Sequence, residues 1–182
     1  LPKNVKLRAN FSPTPVYVKG DPGQIEQIVF NLIINGGDAI GEKQGVVSIE
    51  VSSATMSREE LTAYGTLTNT TLKEGFYALL QVTDNGSGMS KETQKKIFDP
   101  FFTTKFIGRG LGLSAVLGII RAHEGGIMIE STEGVGTTFR VLLPLVGAPV
   151  LIWESIPSGE ETSHREELPQ TAEQRTILVI DD

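Results

Sequence analysis

Apolar and polar positions alternate with two different periods along this chain, and the changes of period lay out its elements. Residues 5–11, "VKLRANF", and 15–20, "PVYVKG", read as two short strands around a Ser-Pro-Thr-Pro break. From residue 21 the period lengthens to that of a helix. Asp21 is a natural N-cap, Pro22 takes the first helical position, and Gln24 stands where a capping box wants it. Ile25, Ile28, Val29, Leu32 and Ile33 then carry the helical apolar spacing. "VVSIEVSSAT" (46–55) returns to a strand, and the polar, Thr-rich residues 56–74 are expected to form a loop. "FYALLQVT" (76–83) is a half-buried strand with Ala78, Leu80 and Val82 on one face. Asp84 falls on that same inward face, and "DNGSGM" follows it with no returning strand.

The second half begins with "SKETQKKIF", a short helix capped by Ser90, and an irregular stretch over 99–110. "LGLSAVLGIIRAHEGG" (111–126) reads as a buried helix closed by Gly125 and Gly126. "GIMIEST" (126–132) and "TTFRVLLP" (137–144) form a hairpin around "EGVG". From residue 147 the chain turns to Glu, Ser and Pro without periodicity, which is the composition of a linker. "TILVIDD" (176–182) has the continuous apolar run of a buried parallel strand. The expected organisation is a domain over 1–146, a flexible acidic linker over 147–175, and the truncated start of another domain over 176–182. The opening "LPKNVKLRANF" has no initiator Met and suggests a fragment of something longer.

Composition narrows the function classes. The 182 residues are 39% hydrophobic and 21% charged, as expected for a chain with one well-packed core. A formal net charge of −6 leaves no basic footprint for nucleic acid or an anionic membrane. A polyanion such as a nucleotide would have to be held locally, by metal ions, backbone N–H groups and a few cations. Cysteine is absent, which excludes a disulfide scaffold or a thiolate metal site and favours a reducing compartment. No apolar run approaches the ~18 residues that span a bilayer, and no signal peptide opens the chain.

Three stretches carry candidate chemistry. Asn31, Asn35 and Asp38 share one helix face; they either mark its solvent side or let Asn35 offer a neutral oxygen to Mg²⁺ beside phosphates. "DNGSGM" contains the Asn-Gly hairpin signal, but the next segment has no strand pattern to pair with it. Asp84 can instead accept the exocyclic amino group of adenine, with Gly86 and Gly88 letting the backbone pass close to a flat ring. "GRGLGLSAV" (108–116) is a glycine-rich turn feeding a helix, an anion site in principle. The spacing of Gly108, Gly110 and Gly112 is not the dinucleotide fingerprint, and no P-loop motif occurs. Just before it, "DPFFTTK" supplies two aromatics to anchor a mobile loop, then Thr103, Thr104 and Lys105, the lysine either paired with phosphate or solvated. Of the two histidines, His123 ends a buried helix and reads as structural, and His164 lies in the linker.

In this order the motifs resemble the catalytic and ATP-binding domain of sensor histidine kinases, within the superfamily shared with gyrase, mismatch-repair and heat-shock chaperone ATPases. The resemblance covers roughly residues 5–146. "NLIINGGDAI" is similar to the N box, "DNGSGM" to the first glycine box, "FDPFFTTK" to the F box, "GRGLGLS" to the second glycine box and "EGVGTTF" to a later glycine turn. The resemblance implies a Bergerat-type α/β (α+β) two-layer sandwich, with a mixed, largely antiparallel sheet, three main helices on one face and a lid over about 89–110. It implies ATP and Mg²⁺ as ligands. ATP contacts would come from Asn35, Asp38, Asp84, Gly86, Gly88, Met89, Phe101, Thr104, Lys105, Gly108, Arg109, Gly110, Leu111, Gly112 and Thr137. Asn35 would hold the metal, and Asn31, Asn35 and Lys105 would act in catalysis.

By the same resemblance the γ-phosphoryl group goes to a histidine on a separate dimerisation domain that precedes residue 1. Related hydrolases carry a Glu where this chain has Asn31, and an amide is a poor general base, which favours transfer over hydrolysis. The family's usual Ala after the metal-binding Asn is replaced by Gly36, followed by Gly37. "ILVIDD" resembles the first strand and acidic pair of a receiver domain, so the partners implied are the dimerisation domain and a receiver, in cis or as a cognate response regulator. The fragment itself is expected to be a cytoplasmic monomer without nucleic-acid partners.

Overall fold

In chain order the elements are β1 (Val5–Phe11), β2 (Tyr17–Lys19), α1 (Pro22–Ile40), β3 (Gly45–Met56), α2 (Arg58–Thr68) and β4 (Gly75–Asp84), followed by α3 (Lys91–Lys96), α4 (Gly112–Ala122), β5 (Gly126–Thr132), β6 (Gly136–Pro144) and β7 (Val179–Asp181). The structure is a computed structural model and describes residues 1–103 and 111–146, with the backbone of 179–181. The expected linker, residues 147–175, lies outside the described residues.

Five strands form one sheet in the order β1-β3-β4-β6-β5, parallel between β1 and β3 and antiparallel elsewhere. This is the mixed, largely antiparallel sheet the motifs lead one to expect. Alternation decides which residues face the helices: Val47 and Ile49 from β3, Ala78, Leu80 and Val82 from β4, Phe139, Val141 and Leu143 from β6. Onto them pack Ile25, Ile28 and Leu32 of α1 and Val116, Leu117 and Ile120 of α4. Each fully buried aliphatic side chain of this kind contributes about 1.5–3 kcal/mol.

Asp21 starts α1 as expected, its side chain accepting the Gln24 N–H at 2.9 Å. On the opposite sheet face, Arg140 donates to Gln81 at 2.8 Å and pairs with Glu130 at 2.8 Å, while the Thr83 and Thr138 hydroxyls meet at 3.1 Å. These polar pairs occupy the part of that face nearer the Asp84 end of the central strands.

The structure corrects two expectations. Residues 56–74 are not a loop, because α2 occupies Arg58–Thr68. Its start is a closed capping box: Ser57 Oγ accepts from the Glu60 N–H, and Glu60 accepts from the Ser57 N–H. Leu61 and Tyr64 join Met56, Tyr77 and Leu142 in a second cluster, built on strand positions that alternate with those of the main core. Leu67 packs against the main core, so α2 straddles the β5 edge, whereas α1 and α4 cover one face. Arg121 of α4 closes the other end of α2, donating to the carbonyls of Thr68 at 2.8 Å and Leu67 at 3.1 Å.

The second correction concerns α4, whose last helical residue is Ala122: Gly125 does close it, its N–H donating to the Ile120 carbonyl at 2.9 Å, but Gly126 does not. Glu124, at φ +53°, makes the left-handed turn, and Gly126 already belongs to β5. Gly125 is needed for closeness, since a Cβ there would stand 2.5 Å from the Leu142 carbonyl oxygen.

Candidate functional site

The site is built around the carboxylate end of β4. Asp84 ends the strand on its inward side, only 7% exposed, opposite Thr137 of β6 in the sheet register. Its carboxylate accepts the Gly86 N–H at 2.8 Å and a hydrogen bond from the Thr137 backbone. Burial pushes the Asp84 carboxyl above its ordinary value, and those two hydrogen bonds work against the shift. The Thr137 hydroxyl is engaged by Ser131 Oγ at 2.9 Å.

The loop after Asp84 is fastened to three neighbours. Asn85 turns its side chain away and accepts the Val46 N–H at 2.8 Å. Ser87 N–H donates to the Ala39 carbonyl of α1 at 2.9 Å, and the Gly134 N–H donates to the Ser87 carbonyl at 2.7 Å. The space a side chain would take at Gly86 is filled by the Ala39 backbone, whose carbonyl carbon is 2.5 Å from an ideal Cβ. At Gly88, φ is +63° and a Cβ would collide with the Thr132 carbonyl. Both glycines therefore serve close approach of the loop to α1 and to the β5–β6 turn, a reason that local sequence did not reveal.

Helix α1 supplies the second wall. Asn31 and Asn35 are half-buried and Asp38 is exposed. Gly36, next to Asn35 in sequence, lies against Asp84 and Val47, so α1 approaches the end of β4 closely at this point. Asn31 Oδ1 lies 3.2 Å from where a Cβ on Gly112 would stand, so the N box and the end of the second glycine box are neighbours. Leu111, at the N-cap of α4, makes no side-chain capping hydrogen bond. The first-turn N–H groups of this 11-residue helix are thus not capped by it.

Of the remaining candidates, Met89 packs against the core, and the Gln94 side chain clamps its carbonyl at 2.9 Å and that of Ser131 at 3.0 Å. The two aromatics of the F box divide their work. Phe102 packs against the core, whereas Phe101 is 75% exposed and holds φ +69°, a strained conformation for a bulky residue. Thr104, Lys105, Gly108, Arg109 and Gly110 lie outside the described residues. His123 takes the structural place expected of it: its Nδ1 is 2.8 Å from the Ile119 carbonyl, and its ring lies against Gly20. His164 is outside the described residues.

A buried carboxylate beside a glycine-containing loop thus lies close to α1, and α1 in turn meets the start of α4 at Asn31 and Gly112. Residues 20–147 match the family of histidine kinase-, DNA gyrase B- and HSP90-like ATPases. The chain belongs to that family. Within it, this ATPase domain is similar to sensor histidine kinases. It is 33% identical over 144 residues to sensor histidine kinase ZraS of Salmonella typhimurium, covering 79% of this chain and 27% of that protein. It is 32% identical over 182 residues to sensor kinase CckA of Brucella abortus, covering 99% of this chain and 18% of that protein. The chain thus spans about a quarter or less of these relatives. Among solved structures, the nucleotide-free catalytic domain of histidine kinase ThkA superposes with a TM-score of 0.55 at 29% identity, over 78% of this chain and 79% of that one. The domain is an ATP-binding catalytic domain of the histidine-kinase kind, and the kinase reading holds over the gyrase-type alternative. No helix among the described residues is long and apolar enough to cross a membrane.

Proposed function

We propose that this domain binds Mg-ATP and delivers the γ-phosphoryl group to a histidine on a separate dimerisation domain of the same kinase. The observation that carries the reading is Asp84, a buried carboxylate held at the end of β4 by backbone hydrogen bonds and covered by α1 at Gly36. Asp84 accepts the adenine amino group, with Thr137 opposite it and the loop 85–89 beside it. Asn35 holds Mg²⁺. Magnesium takes few protein ligands where phosphates and water can supply the rest, which suits a single neutral amide ligand. Bound there, the ion would neutralise charge on the transferring phosphates.

Asp38, Met89, Phe101, Leu111 and Gly112 line the nucleotide with Gly86 and Gly88. The glycine box at Gly108 and Gly110, with Thr104, Lys105 and Arg109, completes the phosphate contacts. In the reaction the bond from the γ-phosphorus to the bridging oxygen breaks, a phosphorus–nitrogen bond to the imidazole forms, and ADP leaves. Asn31 stands where a hydrolase would place a carboxylate base, and its amide cannot take a proton from water. The phosphoryl group then passes to a receiver domain, in cis or on a cognate regulator. The domain works in the cytoplasm, where ATP is, and is monomeric in isolation.

The test is calorimetric titration of the chain with ATP, with and without Mg²⁺, while phosphate release is followed. Binding that strengthens with Mg²⁺ and is lost in Asn35→Ala, with negligible release, supports the proposal. Steady release by the chain alone points to an ATP-hydrolysing switch, and absence of binding overturns the site.

A further inference from the structure

One row of polar side chains crosses the inward face of the sheet at the carboxylate end of β4. Asp84 of β4 stands opposite Thr137 of β6, and Thr137 stands opposite Ser131 of β5. Partners in register share a face, so the three side chains lie on the side of Val82, Phe139 and Ile129, in the main core. Thr137 is only 5% exposed, and its backbone donates to the Asp84 carboxylate. Gly136, one residue before it, is pressed against β4, where a Cβ would collide with the Asp84 carbonyl oxygen. Ser131 holds this corner from the β5 side. Its Oγ donates to the Gly136 carbonyl at 3.1 Å and lies 2.9 Å from the Thr137 hydroxyl oxygen.

We propose that Ser131 is a positioning residue for base selection, which fixes the direction of the Thr137 hydroxyl. A serine hydroxyl carries one hydrogen and a carbonyl carries none. The Ser131 hydrogen goes to Gly136, so the hydrogen between the two hydroxyls is that of Thr137. The Thr137 oxygen is then left with lone pairs only, in register with a carboxylate that is itself acceptor-only when ionised. Such a row suits a base edge that bears an amino group and opposes one that bears a carbonyl in the same place. Hypoxanthine, with an oxygen where adenine has the amino group, is the discriminating comparison. Without Ser131 the Thr137 hydroxyl is free to turn and donate to that oxygen. The inference rests on the reading of Asp84 as the partner of the adenine amino group. To that reading it adds Ser131, acting through Thr137, as the residue that keeps this end of the site an acceptor.

The test compares ATP with inosine triphosphate by calorimetric titration of the chain in the presence of Mg²⁺. The parent should prefer ATP. Ser131→Ala should lower that preference about tenfold, with ATP bound more weakly and inosine triphosphate more tightly. Ser131→Cys, whose sulfur is a weak acceptor, should have the same effect and serves if the Ala variant fails to fold. Ser131→Thr keeps the hydroxyl and should keep the preference. In a Thr137→Val chain, adding Ser131→Ala should change the preference no further. A Ser131 that only braced the β5–β6 turn would weaken both nucleotides alike, so an unchanged ratio in Ser131→Ala overturns the proposal. Asp84→Asn tells the two readings apart. If it loses ATP while Ser131→Ala leaves the ratio unmoved, only the role of Ser131 falls. If it binds ATP as the parent does, the base reading falls and the role of Ser131 with it.

Discussion

Gly36 and Asp84 touch: a Cβ added to Gly36 would stand 3.1 Å from the Asp84 Cβ and 3.2 Å from Val47 Cγ2. This contact sets how closely α1 approaches the carboxylate end of β4. It opposes the ordinary preference of a helix interior, where Gly costs about 1 kcal/mol relative to Ala. In Gly36→Ala the gain in helix propensity is offset by a tight methyl contact, and stability in urea should change by less than about 1 kcal/mol. Gly36→Val has no such balance. Its extra methyls overpack the site at a cost of about 1–3 kcal/mol and displace Asp84, weakening ATP binding in the same titration.

Asp84→Asn should separate stability from binding. Burial raises the Asp84 carboxyl in the folded chain, so its stabilising contribution is complete below the ordinary carboxylate range and is lost as pH rises through the elevated value. At neutral pH the folded state holds a carboxylate that burial disfavours. The Asn variant should therefore equal or exceed the parent in urea midpoint at neutral pH, and that advantage should shrink as pH falls toward ~4. ATP affinity should drop about 10- to 100-fold, since an amide NH₂ would face the adenine amino group.

Much of this fold was legible because its strongest signals are local. Asp21, Pro22 and the apolar spacing from Ile25 mark α1, and the alternation through Ala78, Leu80 and Val82 aims Asp84 inward, where it lies. What escaped was of two kinds. In α2 the apolar stripe is thin, with Leu61 and Tyr64 buried among threonines and a glycine, and the Ser57-x-x-Glu60 capping box was the signal that could have found it. The neighbours of Gly36, Gly86 and Gly88 lie on other elements, and no local period encodes such contacts. The motifs named the glycines, but only the packing shows which side of each is occupied.

The capping box of α2 gives a prediction with the opposite pH sign. Glu60 is held below its ordinary value, first by the Ser57 hydroxyl and then by the Ser57 backbone N–H. That stabilisation is present above the ordinary carboxylate range and is lost as pH falls through the lowered value. Ser57→Ala should lower the urea midpoint at neutral pH, and the gap to the parent should narrow in acid. Because α2 lies at the β5 edge, ATP affinity should be unchanged.

Gly86→Ala tests the contact with Ala39. The added methyl would meet backbone on α1, 2.5 Å from the Ala39 carbonyl carbon, and backbone yields less readily than a side-chain tip. The loop should lift from α1, breaking the Ser87 to Ala39 hydrogen bond, at a cost of about 1–3 kcal/mol. Hydrogen exchange would show this as lost protection at Ser87, together with weaker ATP binding.

Asn31 is where the choice between transfer and hydrolysis can be tested by one substitution. Its side chain sits beside Gly112, where α1 meets the first turn of α4, one helical turn before Asn35. A carboxylate introduced there can accept a proton from water, which the amide cannot, and positioned general bases contribute roughly 10²- to 10⁴-fold. Asn31→Glu should therefore raise phosphate release by the isolated chain well above the parent, with ATP affinity reduced by the added negative charge near phosphates. The measurement is steady-state phosphate release at saturating Mg-ATP, with Asn31→Gln as the uncharged control. Release that rises with Glu and stays at the parent level with Gln assigns the low hydrolysis to the missing base. Equal release in all three chains would instead place the restraint in the approach of water, and Asn31 would then serve only to seat α4 against α1.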